Sequence, residues 1–127
     1  MKTLIAFAFL TLTTVTAPAL AHAQDAAAGK KLFNRCKACH TVNEGGPNRS
    51  GPNLWGIFGS NAARRDNGYR NYSKPMKESG IVWTEETLSA FIENPRKAIP
   101  RTRMTFAGMK NPKQRADLIA YLKSVTQ

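Results

Sequence analysis

Cysteine and histidine are scarce in this chain, two of each among 127 residues, and their scarcity narrows the available chemistry. His22 falls within a processing signal described below and is expected to be removed, which leaves Cys36, Cys39 and His40 as the only thiol and imidazole groups. Three such ligands fall short of the four that close a structural zinc site. No run of residues reads as a convincing strand, so the βαβ surrounding of a thioredoxin-like dithiol is missing, and there is no internal repeat. Acidic residues are also few, 8 against 19 Lys and Arg. That basic excess comes without the interleaved aromatic and basic residues of nucleic-acid modules, so nucleic acid is not the expected partner. An acidic protein surface is, with part of the excess serving solubility.

Long apolar runs are missing too. Met1 to Ala23 carries Lys2 as a short positive region, Leu4 to Val15 as an apolar stretch interrupted by threonines, and Ala21-His22-Ala23 as an A-x-A cleavage site. The apolar stretch is shorter than the ~20 residues that span a bilayer, which argues against a retained anchor, and no other segment could span. Residues 1–23 are therefore expected to be a cleaved secretory signal and residues 24–127 a single domain exported to the periplasm, with no stable membrane insertion. Of the basic residues only Lys2 precedes Gln24, so the mature chain keeps nearly the whole positive excess. About a hundred residues bury a modest core without help.

The stretch Cys36-Lys37-Ala38-Cys39-His40 is the densest chemical signal present. Two thiols three positions apart fall on one helical turn, where they can form thioethers to two vinyl groups of one haem while the adjacent imidazole reaches the iron. A redox dithiol and a structural bridge are the competing readings, and a plain bridge leaves His40 unexplained. Export suits the haem reading, because a thiol pair of this kind belongs outside the reducing cytosol. A haem would also fill the centre of a small domain.

The rest of the chain reads as helices joined by loops. From Asp25, the residues Gly29, Leu32, Phe33 and Cys36 share one helical face, and a glycine on that stripe predicts that the last helix crosses it at close range. Thr41 to Gly59 is too rich in Gly and Pro for regular structure, and a carbonyl from it, with Pro52 as the candidate, could accept the N–H of His40. Asn61 to Asn71 reads as polar surface loop. Ser73 caps a short helix ending at Gly80, and Thr84 caps another with Leu88, Phe91 and Ile92 facing inward, which Asn94-Pro95 ends. Pro95 to Lys110 reads as extended or looped. Asn111-Pro112-Lys113-Gln114 opens the final helix with a cap and a capping box, and Leu118, Leu122 and Val125 form its inner stripe with Ile119 and Tyr121 flanking.

With His40 alone after cleavage, a second histidine on the iron is excluded, and methionine is the natural sixth ligand. Met76 falls in a short helix and Met109 beside the last one. Met104 falls mid-loop after a proline, the position from which a thioether can be aimed across a cavity, so it is the candidate over its ordinary use as soft core filler.

Together these segments resemble class I cytochrome c, close to the mitochondrial type and its soluble bacterial relatives, from Gly29 to Lys123. The likeness rests on Cys36 to His40, on Gly51-Pro52-Asn53-Leu54-Trp55-Gly56-Ile57-Phe58-Gly59, on Thr102-Arg103-Met104-Thr105-Phe106-Ala107-Gly108, and on Ala116-Asp117-Leu118-Ile119-Ala120-Tyr121-Leu122, in the family's order. The resemblance implies an all-α fold, helices and loops wrapped around one heme c (Fe) attached covalently through Cys36 and Cys39. It implies His40 and Met104 as axial ligands, Pro52 accepting from His40, Tyr72 and Trp83 at a propionate, and Phe33 meeting Tyr121. Where the family usually has a propionate-side arginine this chain has Ser60, with Arg64 or Arg65 as possible replacements. Phe91 stands for a tyrosine, and Arg101 for a glycine.

The expected function is a soluble periplasmic one-electron carrier, a monomer and not an enzyme. Its redox partners would have acidic docking surfaces: a cytochrome bc complex, terminal oxidase, photosynthetic reaction centre or dehydrogenase. The alternatives are a haem subunit or dedicated acceptor of one periplasmic dehydrogenase, and a peroxidase or gas sensor if Met104 is absent from the iron or labile.

Overall fold

Asp25 opens the first helix, its carboxylate accepting from the amides of Ala27 and Ala28, so that α1 (Ala26–Leu32) begins directly behind it. The helix tightens to a 3₁₀ turn over Phe33–Arg35 and delivers the chain to Cys36. The structure is a computed structural model describing residues 24–64 and 66–127; residues 1–23, read above as an export signal, and Arg65 lie outside the described residues.

Three short helices follow. α2 (Lys74–Glu78) is capped by the Ser73 hydroxyl, which accepts from the Met76 amide. Gly80 turns the chain at φ 65° beyond it. α3 (Glu85–Glu93) starts at Thr84 with Glu85 and Glu86 in the first turn, where the helix dipole favours anions. Asn94 ends α3 with extended backbone at φ −156° and ψ 90°, as the sequence suggested, but a new turn of helix starts directly behind it. Asn94 also caps α4 (Pro95–Ala98) by accepting from the Lys97 amide, with the proline at the first position where its missing N–H costs nothing. The segment read as extended from Pro95 thus begins with a helical turn.

The last helix, α5 (Pro112–Val125), is capped by Asn111, which accepts from the Gln114 amide. The full capping box forms instead at Thr84, whose hydroxyl and that of Thr87 each accept from the other's amide. Leu118, Ile119 and Leu122 are its buried apolar residues, so Ile119 takes the inner place expected of Val125.

Gly29 allows α1 and α5 to cross closely. A methyl group there would lie 1.9 Å from the Asp117 carbonyl oxygen and 2.8 Å from Tyr121 Cβ, so only glycine permits this approach. The buried Asp117 ties the crossing at its polar end, accepting from the Asp25 amide at 2.9 Å and from Lys113 Nζ at 2.8 Å. Phe33 and Tyr121 meet at 5.5 Å between ring centroids. Leu88, Phe91, Ile92, Ile99 and Met109 complete a core with the α5 residues. The fold is all-α. Among the described residues extended pairing is limited to an isolated bridge between Asn61 and Val82, flanked by bonds from Gly59 to Trp83, Trp83 to Ser60 and Ala62 to Ile81 that fix Trp83 in place.

Candidate functional site

Loops and helix ends enclose a cavity of about 520 Å³, within the range of cofactor sites. Cys39, His40, Pro52, Tyr72, Trp83 and Met104 line it. Cys36 does not, but it is half-buried one helical turn before His40, on the segment closed by bonds from the Cys39 and His40 amides to the Cys36 carbonyl. Both thiols are free. Burial pushes the Cys36 thiol pKa up, opposed by the neighbouring Arg35 cation.

The imidazole of His40 is fixed from below. Its Nδ1 lies 2.7 Å from the Pro52 carbonyl, which can only accept, so Nδ1 carries the hydrogen and Nε2 keeps its lone pair. Burial pulls the His40 pKa below its ordinary value, with the Pro52 bond acting the other way, so the neutral ring that binds metals is favoured. Gly51 makes room beneath it, since a methyl group there would lie 2.4 Å from His40 Cε1. The amide of Gly51 bonds to Cys39 O and that of Leu54 to Thr41 O, which ties the loop to the thiol segment.

A second lining is apolar. Met76, Trp83, Leu88, Phe91 and Ile92 are buried in the core and border the cavity, and Met104 and Phe106 pack against that core half-buried. Trp83 and Phe91 are 5.2 Å apart at their centroids. Met109, at 1% exposure, is core and does not line the cavity. Met76 does, but it is held at 9% exposure within the core cluster.

The loop from Asn61 to Asn71 lies at the surface as expected, and it also forms part of the wall: Asn61, Arg64, Asn67, Tyr69 and Asn71 line the cavity. Arg64, with its side chain 13% exposed, donates to the carbonyls of Gly56 at 2.9 Å and of Trp55, and meets the exposed Asp66 at 3.5 Å. Ser60 is occupied locally, its hydroxyl donating to Ile57 O. The charged residues bordering the cavity are Arg35, Arg64 and Arg103, with no Asp or Glu among the described lining. Tyr72 accepts from Asn67 Nδ2 at 3.0 Å. Its hydroxyl pKa is raised, chiefly by burial. Asn67 escaped the sequence reading, although Asn67-Gly68 just ahead of Tyr69 carries the signature of a side-chain-stabilised turn.

No helix among the described residues is long and apolar enough to cross a membrane. The family model for cytochrome c matches residues 26–126. The chain is 46% identical to cytochrome c of Theileria parva over 103 residues, covering 80% of this chain and 87% of that one. It is 46% identical to cytochrome c of Chlamydomonas reinhardtii over 107 residues, 84% of this chain and 94% of that one. A cytochrome c homolog of Bradyrhizobium diazoefficiens is 49% identical over 99 residues, 78% of this chain and 53% of its own length. A helical fold built around a cavity with thiol, imidazole and thioether groups defines a haem protein of the electron-transfer class. The chain belongs to the cytochrome c family, whose members bind covalently attached heme c and carry electrons without being enzymes. The residues present fit that group: the cavity is lined by an imidazole with a free Nε2, the Met104 thioether and the Cys39 thiol, with the Cys36 thiol one helical turn before His40 and Gly51 leaving room against the histidine ring.

Proposed function

We propose that this cytochrome c is a soluble periplasmic one-electron carrier whose haem is held through Cys36 and Cys39, with His40 and Met104 as the axial ligands. The observation that carries the reading is the 2.7 Å approach of His40 Nδ1 to the Pro52 carbonyl, which reserves Nε2 for a metal in a cavity that Met104 also lines. When bound, haem c supplies an iron that takes and returns one electron, and a histidine and a methionine together leave it no open position. The chain's own residues orient and insulate that centre. Pro52 fixes the imidazole tautomer, the apolar lining excludes water, and Tyr72 and Trp83, which line the cavity, would hold the haem's carboxylate edge. Arg64, half-buried at the cavity wall, would supply the cation that Ser60 cannot.

Residues 1–23 act as a cleaved export signal, supported by the A-x-A sequence at Ala21-His22-Ala23. The exposed basic residues Arg35, Arg49, Arg96, Arg103 and Lys110 form the docking surface for an acidic redox partner. Exposure of the reduced protein to carbon monoxide at neutral pH tests the reading. A filled coordination shell predicts no rapid spectral change, and rapid binding would overturn the carrier assignment in favour of an open-site protein.

A further inference from the structure

Asn67 has no part in the reading above, yet its side chain uses both polar ends beside the cavity. Its Oδ1 accepts from the Tyr69 amide at 3.0 Å, and its Nδ2 donates to the Tyr72 hydroxyl at 3.0 Å. A backbone amide can only donate, so the contact with Tyr69 fixes which end is oxygen and leaves the NH₂ group facing Tyr72. The turn is anchored on two further sides. The Asn67 carbonyl accepts from Asn48 Nδ2 at 2.7 Å, and the Tyr69 hydroxyl donates to Ser50 O at 2.6 Å. Tyr69 also meets Tyr72 edge to face at 4.8 Å.

A phenol has one hydrogen. With Asn67 donating into the Tyr72 oxygen, that hydrogen cannot point back at Asn67, and no group among the described residues accepts it. Tyr72 lines the cavity, and among the described residues the charged groups around that cavity are arginines. Arg64 is half-buried at the cavity, donates to the carbonyls of Gly56 and Trp55, and has only the exposed Asp66, 3.5 Å away, as an opposite charge. An unaccepted phenol hydrogen beside arginines, with no Asp or Glu among the described lining, suits an anionic acceptor at this corner.

We propose that Asn67 is a positioning residue that commits Tyr72 to donate its hydrogen into the cavity, where Tyr72 and Arg64 together hold the carboxylate edge of the haem. The proposal rests on the haem reading of this site. Donation to that carboxylate draws negative charge away from the iron, so a loosened Tyr72 favours the oxidised form and lowers the reduction potential.

The test uses the purified haem protein and measures potential in wild type, Asn67→Leu, Tyr72→Phe and the double variant. Asn67→Leu keeps the volume and removes both polar ends. Its potential should fall below wild type, and the substitution should have no further effect in the Tyr72→Phe background. An equal fall in both backgrounds would mean that Asn67 acts through the loop and not through Tyr72, and no fall at all would mean that it does not act; either result overturns the proposal. Should Asn67→Leu fail to fold, Asn67→Asp retains the oxygen that accepts from Tyr69 while turning the other end into an acceptor. The potential of Asn67→Asp should then fall further with Tyr72 present than with Tyr72→Phe, and equal falls overturn the proposal. Absence of covalent haem from the wild-type protein would instead sink the underlying haem reading, a result that these comparisons of potential cannot mimic.

Discussion

On the His40 side of the cavity the protein relies on directed hydrogen bonds and on contact too close for a methyl group, whereas the lining from Met76, Trp83, Leu88, Phe91 and Ile92 is apolar packing. The first arrangement fixes one ring in one tautomer; the second fixes no orientation but keeps water out. The two sides should therefore fail differently. Adding an atom breaks the first, and removing atoms breaks the second.

Phe91→Ala should be the most damaging change on the apolar side, because it empties a site 5% exposed beside Trp83. We expect a loss of about 4 kcal/mol in denaturant unfolding. Gly51→Ala adds a single methyl group against the His40 ring, and the resulting overpacking should cost about 3 kcal/mol and lower the yield of protein with covalent haem. Near-normal stability and haem content in Gly51→Ala would erase the proposed contrast between the two sides.

Both sides rest on the α1–α5 crossing, which has a pH dependence of its own. The Asp117 carboxyl is held below its ordinary pKa, first by Lys113 and then by the Asp25 amide, against the opposing effect of burial. Its contribution is fully present above the unfolded value near ~4 and is lost as pH falls through the lower folded value. Asp117→Asn should thus flatten the acid limb of stability below about pH 4, and an unchanged acid titration would contradict this. The smallest effect is a gain. Arg101 sits at φ 61° on the loop leading to Met104, a conformation that glycine adopts freely, so Arg101→Gly should raise stability by about 1 kcal/mol. A loss of stability there would show that the arginine side chain contributes more than its backbone costs.

The helical frame was legible because its signals are local. Asp25, Ser73, Thr84 and Asn111 each announce a helix start within three residues, and Gly29 on an apolar stripe predicts the crossing with α5. α4 was missed because Pro95 serves both to stop one helix and to begin another, and the sequence alone does not say which. The wall from Asn61 to Asn71 was missed for a different reason. Its polar side chains look solvated in sequence, but their partners lie far along the chain, Asn48 for Asn67 and Ser50 for Tyr69, and periodicity does not register such contacts. Tyr72 and Trp83 were expected at the site only through the family resemblance, and Cys36, Cys39 and His40 stood out on spacing alone.

The ligand pair is the centre of the account, and the sulfur-to-iron charge-transfer band of the oxidised protein tests it most directly. Met104→Ala should abolish that band, while Met76→Leu and Met109→Leu should leave it in place, because Met76 and Met109 are held in the core and Met104 is half-buried on the cavity loop. Survival of the band in Met104→Ala, or its loss in Met76→Leu, would contradict the assignment of His40 and Met104 as the axial pair.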